Sequence, residues 1–318
     1  MKRLFCVSFA LLAGVVFFSQ TVFAAEPDAT ALKRFKPSIS MGYAYFGATD
    51  LVFRGENFAS LGGVNKTAVN LPGKSGSYLA GDFSFSFTDR LNLTIGGRFA
   101  NAWTRQDSRE EYNGTPTIGR NWESDGQFWA TAEVMLAYAF VRNVSFIKNI
   151  SGVVGLRGDF QHAKFKNPTL ATSVISDISD ENKFDMSTVS PVIGVTSTFQ
   201  GFRSGIFGGD IKIGVSASPI TSGWIKYKEI FSVGSSLEVD DNFYRAAMIS
   251  ASAEVTVITA NLGPRANLLV CAYGQYTRHF IDSTVEMTGT GLANGEANFT
   301  FSMQPSTAIV GVKAAVEF

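Results

Sequence analysis

Two histidines, His162 and His279, and two cysteines, Cys6 and Cys271, are the whole supply of imidazole and thiol in 318 residues. Cys6 lies in an apolar leader, so Cys271 alone remains in the mature chain, which permits no internal disulfide and no cysteine-based metal site. Two histidines far apart in sequence leave little for metal or nucleophilic chemistry, and no metal and no cofactor is expected. The informative ionisable groups are charges spaced by two inside apolar stretches, such as Arg157 with Asp159 and Asp210 with Lys212. Residues two apart on a strand share a face. Groups placed this way meet one another across a shared interior, and their first chemistry is ion pairing.

The elements that would position them are strands. Apolar and polar residues alternate over 38–46, 78–88, 91–103, 127–140, 150–165, 187–199, 205–218, 244–257, 265–280 and 303–318. Most of these stretches are long enough to cross a bilayer with tilt, which takes about 9–11 residues. Connections alternate short and long: Asp89-Arg90, 141–149, 200–204 and 258–264 are short, and those between them are long. After the leader no run of about 18 apolar residues occurs, so no membrane-spanning helix is expected. The predicted fold is all-β: a transmembrane antiparallel up-and-down barrel of about ten strands with short periplasmic turns and long extracellular loops. Pro191 interrupts one strand, and a bulge is expected there, since a closed barrel has no edge to hold a proline.

Parity assigns faces. Leu91, Leu93, Ile95 and Phe99, then Val134, Leu136, Tyr138 and Phe140, then Val154, Leu156 and Phe160 fall outward. Asp82, Arg98, Glu133, Arg157, Asp159, Asp210, Lys212, Glu254 and Lys313 fall inward as a lumen charge network. No outward central position carries a charge, which would cost about 2–4 kcal/mol at a bilayer midplane. Ten strands enclose a narrow bore. The inward charges either fill it as ion pairs or line a narrow path for ions. The wide aqueous channels belong to barrels of about 16 strands or more, which excludes a general porin. Arg157-Gly158-Asp159 spells an adhesion tripeptide, but both charges point into the lumen. The charge balance, 27 basic against 27 acidic residues, argues against a nucleic-acid partner.

Compartment is read from both ends. Lys2 and Arg3, the apolar run Leu4 to Phe18 and the small-residue site Val22-Phe23-Ala24 form a secretory signal peptide over 1–24. Residues 25–36 read as a periplasmic lead-in and 37–318 as one barrel domain. The last strand alternates Val310, Val312, Ala314 and Val316 against Gly311, Lys313 and Glu317 and closes on Phe318. It resembles the terminal signal through which the barrel-assembly machinery of the outer membrane recognises its clients.

Short stretches add a family resemblance: Ile39-Ser40-Met41-Gly42, Pro191-Val192-Ile193-Gly194, Asn242-Phe243-Tyr244 and the strand ending at Phe318. With the ten-strand topology, they resemble the omptin outer-membrane proteases. That resemblance implies an acidic pair after the third strand and an Asp with a nearby His after the seventh, activating water for peptide hydrolysis with the His as general base. Here the third loop carries Asp107, Arg109, Glu110 and Glu111, without the family's carboxylate pair spaced by one residue. The loop at 219–243 has no histidine and reads Gly223-Trp224-Ile225-Lys226-Tyr227-Lys228-Glu229 instead. The protease machinery does not carry over. A divergent site built from Asp107, Glu110 or Glu111 with His279 is the weak catalytic alternative. His162 falls outward, in an interfacial position. The family also binds lipopolysaccharide through basic residues, and Arg105, Lys164 and Arg278 fall outward just above a belt of Trp103, Phe160 and Phe280.

The leading expectation is an integral outer-membrane barrel of a Gram-negative-type bacterium. It is non-enzymatic, contacts outer-membrane lipid and lipopolysaccharide, and works through its outer loops. An omptin-like endopeptidase with a divergent site is the first alternative, and a narrow ion or small-solute channel the second.

Overall fold

In the computed structural model the chain is described over residues 35–55, 66–71, 73–102, 107–112, 115–168, 181–231, 235–264, 266–290 and 295–318. Every regular element among them is a strand. In chain order they are β1 (Phe35–Phe46), β2 (Thr49–Arg54), β3 (Lys66–Leu71), β4 (Lys74–Ser86), β5 (Leu91–Ala102), β6 (Asp107–Tyr112), β7 (Thr115–Val144) and β8 (Ile147–Pro168). There follow β9 (Glu181–Phe199), β10 (Arg203–Ser204), β11 (Phe207–Gly208), β12 (Ile211–Phe231), β13 (Ser235–Gly263), β14 (Ala266–Thr290), β15 (Gly295–Met303) and β16 (Ser306–Glu317). All pairings are antiparallel.

A ring of ten strands closes at the end that holds β1 and β16: β1, β4, β5, β7, β8, β9, β12, β13, β14 and β16. The long connections expected as loops are strands instead. β7, β8, β9, β12, β13 and β14 run on past the first ring. There β15, β2, β3 and β6 join them and close a second ring against β7. The barrel is therefore two stacked rings that share six continuous strands. Among the described residues each ring closes on itself, β1 on β16 in the first and β6 on β7 in the second, so every ring strand has a neighbour on both sides.

The two rings have opposite polarity. In the first, Ile39, Met41, Leu79, Val154, Leu156, Val215, Val310 and Val312 are exposed on the outer wall, and charged or hydroxyl side chains face in. In the second, Leu51, Phe53, Phe184, Met186, Ile225, Tyr227, Val239, Phe243, Val285, Met287, Phe299 and Phe301 are buried together as a core. Strand β14 shows the inversion on one chain. Tyr273, Gln275, Thr277 and His279 face in below it; Ile281, Val285 and Met287 do so above, while Asp282, Thr284 and Glu286 turn outward.

Aromatic side chains mark both limits of the apolar outer wall. At the end with the termini, Phe35 packs on Phe83, Phe85 and Phe318 with ring centroids 6.2, 5.0 and 6.1 Å apart, and Phe146 stacks on Phe199. At the junction between the rings, Phe128 touches Phe99 and Phe160 at 5.7 and 5.6 Å.

Three expectations about the strands need correction. Strand β1 begins at Phe35, three residues before the expected start at 38, and 25–34 lie outside the described residues. The register of β8 with β9 runs unbroken through Pro191, opposite Leu156. The irregularity faces Pro191 from the other side, on β12 between Ala217 and Ser222, where Pro191 has no N–H to offer the ladder. The expected strand over 205–218 starts at Ile211, because 203–208 form the small β10–β11 hairpin at the turn.

Candidate functional site

The alternation of β4, β5, β7, β13 and β16 turns ionisable side chains into the first ring's lumen, where they form one chain of alternating sign. Glu254 lies 3.0 Å from Lys313, Lys313 lies 3.4 Å from Asp82, Asp82 lies 3.8 Å from Arg98, and Arg98 bonds Glu133 at 2.7 Å. Gly96 faces inward beside Asp82, and a Cβ there would collide with the Asp82 carboxylate. Small side chains on the inner wall thus make room for the charges.

Above this chain lies a buried ionic layer. Arg157 and Asp159 sit two apart on β8, with side chains only 1% exposed, and are joined at 2.8 Å between Nη2 and Oδ1. The same carboxylate accepts hydrogen bonds from Trp129 Nε1 at 3.0 Å and Thr131 Oγ1 at 2.8 Å. The Arg157 guanidinium also lies over the Trp129 ring, 5.5 Å from its centroid. His279 Nε2 stands 3.6 Å from Asp159 Oδ2. Buried charges of this kind persist only when paired and hydrogen-bonded, and Asp159 meets that condition through Arg157, Trp129 and Thr131. Directly above comes the apolar core of the second ring.

Two residues assigned to the lumen network stand apart from it. Asp210 precedes β12 at the rim near the termini, where it pairs with Lys148 at 2.6 Å and Arg203 at 3.5 Å. Parity put it inside, but the strand has not yet begun at that position. Lys212 does face the lumen, across from Glu254 on β13, but makes no ion pair or hydrogen bond among the described residues.

The weak catalytic set is not assembled. Asp107, Glu110 and Glu111 lie on β6, which is separated from β14 in the second ring by β15, β2 and β3. His279 on β14 is 2% exposed and directed at Asp159, out of reach of any peptide. The adhesion tripeptide is likewise sealed inside.

A polar surface that sequence reading passed over covers the outer wall of the second ring. His162 Nδ1 and Asp185 Oδ1 are 2.6 Å apart, with His162 also packed on Phe128 at 5.1 Å. Register carries the same row on to Lys226 and Asp240, which meet at 2.8 Å, while Trp224 Nε1 donates to Asp240 at 2.7 Å. One row farther from the first ring, Lys164, Lys183 and Lys228 lie abreast on β8, β9 and β12, followed by Glu238 on β13. Lys164 was singled out from sequence. Its neighbours in the row were not, because register across strands is invisible without pairing. Arg278 lies elsewhere, on β14, stacked over Phe280 at 5.2 Å and bonded to Gln304 at 2.6 Å. Arg105 and Trp103 lie outside the described residues.

In this row the hydrogen bond to Asp240 raises the Lys226 pKa. Burial pushes the Asp240 carboxyl up, but the hydrogen bonds from Lys226 and Trp224 outweigh it and hold it below its usual value. The Asp240 contribution to stability is therefore present above the unfolded carboxylate pKa of about 4 and lost as pH falls through the lower folded value. Asp240→Asn is expected to cost no more than about 1 kcal/mol at neutral pH, since the pair is largely solvent-screened. The gap between its melting temperature and that of the wild type should shrink as pH falls below the usual carboxylate range, and a gap that does not change with pH would place the effect elsewhere.

No protein-family model and no curated protein matches this sequence. Among solved structures, the outer membrane protease OmpT from Escherichia coli superposes with a TM-score of 0.64 at 9% identity, covering 90% of this chain and 97% of OmpT. The outer membrane protein OprG from Pseudomonas aeruginosa gives a TM-score of 0.36 at 11% identity, over 91% of this chain and 99% of that one. At these identities the likeness concerns architecture alone. The chain has the fold of a ten-stranded antiparallel barrel, similar in overall shape to OmpT.

Proposed function

We propose that the protein is an integral barrel of the bacterial outer membrane that works without catalysis and holds phosphorylated lipid against its outer wall. The observation that carries this is the inversion of polarity along shared strands. A wall apolar outside and polar inside suits hydrocarbon, whereas one polar outside and apolar inside suits water. Aromatic side chains at both limits of the apolar wall fit the two interfaces of a bilayer. On this reading the first ring spans the membrane, its termini and short turns lie in the periplasm, and the second ring stands outside the cell. The signal peptide at 1–24 would deliver the chain, and the closing strand to Phe318 would present it to the assembly machinery.

The row Lys164, Lys183 and Lys228 then sits just above the outer interface, beyond Phe128 and Phe160. Lipopolysaccharide phosphates at that height would receive charge-assisted hydrogen bonds from it. A pore finds no support, because the apolar core of the second ring lies across the path. Binding of purified lipopolysaccharide to the refolded barrel tests the proposal. Replacing all three lysines with Gln should weaken it at least about tenfold and flatten its salt dependence. Equal affinity and equal salt dependence in the triple variant would defeat the assignment.

A further inference from the structure

The first ring is a cup. Its lumen holds a cavity of about 170 Å³ lined by residues of both signs, among them Asp82, Arg98, Glu133, Lys212, Glu254 and Lys313. Exposure falls from the end with the termini upward. Asn92 and Thr94 are half-buried, Asp82 and Arg98 are buried, and Arg157 and Asp159 are shut off almost completely. Among the described residues the cavity therefore opens at the end where the termini and short turns lie.

Two features of its wall are not needed to fill a barrel. One is Lys212, which is exposed to the lumen and makes no ion pair or hydrogen bond among the described residues; it feels the charge of Glu254 opposite, but that carboxylate lies 3.0 Å from Lys313. The other is an inward apolar strip, Met135 and Ala137 on β7 with Val153 on β8, the last two directly paired. The remaining lumen acids are held by Arg98 and Lys313. One cation without a direct partner and one apolar strip in a single small cavity complement a molecule with an anionic head and a short hydrocarbon body.

We propose that this cavity binds a small short-chain carboxylate entering from the open end, its carboxylate on Lys212 and its methylenes against Met135, Ala137 and Val153. Sites for drug-sized ligands run to about 300–1,000 Å³, so only a few-carbon acid fits. Hydroxyl and amide groups nearby are largely occupied with one another. Tyr273 donates to Gln275 at 2.9 Å, and Gln275 donates to Ser250 at 3.0 Å. Lys212 is left as the group that sets the sign of the ligand.

Saturation-transfer NMR on the refolded full barrel in deuterated detergent tests this with butyrate as probe and n-butylammonium as its opposite-charge control. Butyrate should give a saturable signal in the wild type and n-butylammonium none. Lys212→Met should weaken butyrate at least about tenfold, the loss of one charge-assisted contact. Val153→Phe, which fills the strip, should abolish the signal while Lys212 is still present. Heat-modifiable gel mobility shows that each variant is folded, and Ala137→Leu replaces Val153→Phe if that one is not. No saturable butyrate signal in the wild type means a cavity that holds water only and overturns the proposal. So does a signal undiminished in Lys212→Met, or one equally strong for n-butylammonium.

Discussion

Asp159→Ala lowers the unfolding free energy by about 3–5 kcal/mol, the range for removing one partner of a buried ion pair. The reason is what remains. Arg157 would keep a guanidinium with a 1% exposed side chain and no carboxylate, and Trp129 and Thr131 would each lose an acceptor. The size of the loss reflects the uncompensated charge rather than the net worth of the pair. The double variant Arg157→Met with Asp159→Ala should accordingly recover much of the stability lost in the single one. Urea titration in detergent, followed by the shift between folded and unfolded gel mobility, measures both. A loss under about 1 kcal/mol in the single variant would mean that water reaches the layer and solvates Arg157.

Phe301→Ala in the second ring should cost a similar amount, about 3–5 kcal/mol, through lost burial and a residual cavity. Phe301 is fully buried, stacked on Phe53 at 5.3 Å and tilted against Phe243 at 6.3 Å. The expected signature differs from that of Asp159→Ala. The apolar core of the second ring depends on β2 and β15, which are absent from the first, so the first ring should keep its folded mobility while cleavage by added trypsin rises in the second. Simultaneous loss of both rings at one urea concentration would show instead that they unfold as one cooperative unit.

The first ring was legible in the sequence because its rule is uniform. Outward positions such as Val154, Leu156, Val310 and Val312 are apolar, and the charges fall on the opposite parity, so parity alone puts Arg98, Glu133, Arg157 and Asp159 in one lumen. The second ring follows the same period with the opposite sense. Ile281, Val285 and Met287 alternate with Asp282, Thr284 and Glu286 as cleanly as anything in the first ring. A rule that apolar residues face out ends the strand at Phe280, because beyond it the apolar residues of β14 face in. The lysine row was hidden for a different reason. Lys164, Lys183 and Lys228 are far apart in sequence, and only cross-strand register brings them abreast. Asp210 was misplaced because parity was extended past the true start of β12 at Ile211.

Six wall strands pass unbroken between the rings, whereas the remaining four positions change strands: β1 to β2, β3 to β4, β5 to β6 and β15 to β16. Gly47 donates to the Ser306 carbonyl at 2.9 Å, and His279 donates to the Pro305 carbonyl at 2.9 Å, which stitches the wall across two of those changes. Four of the ten wall positions are thus spliced at one height. The four outer pieces pair among themselves and with the flanks of β7 and β14, and their register is not dictated by the strands beneath. A segment inserted between β2 and β3 would lengthen one finger of the outer ring without shifting a single residue pair in the lower one. The spliced positions are where an inserted peptide would be carried without disturbing the lower ring, while the six unbroken strands fix the shape on which it sits.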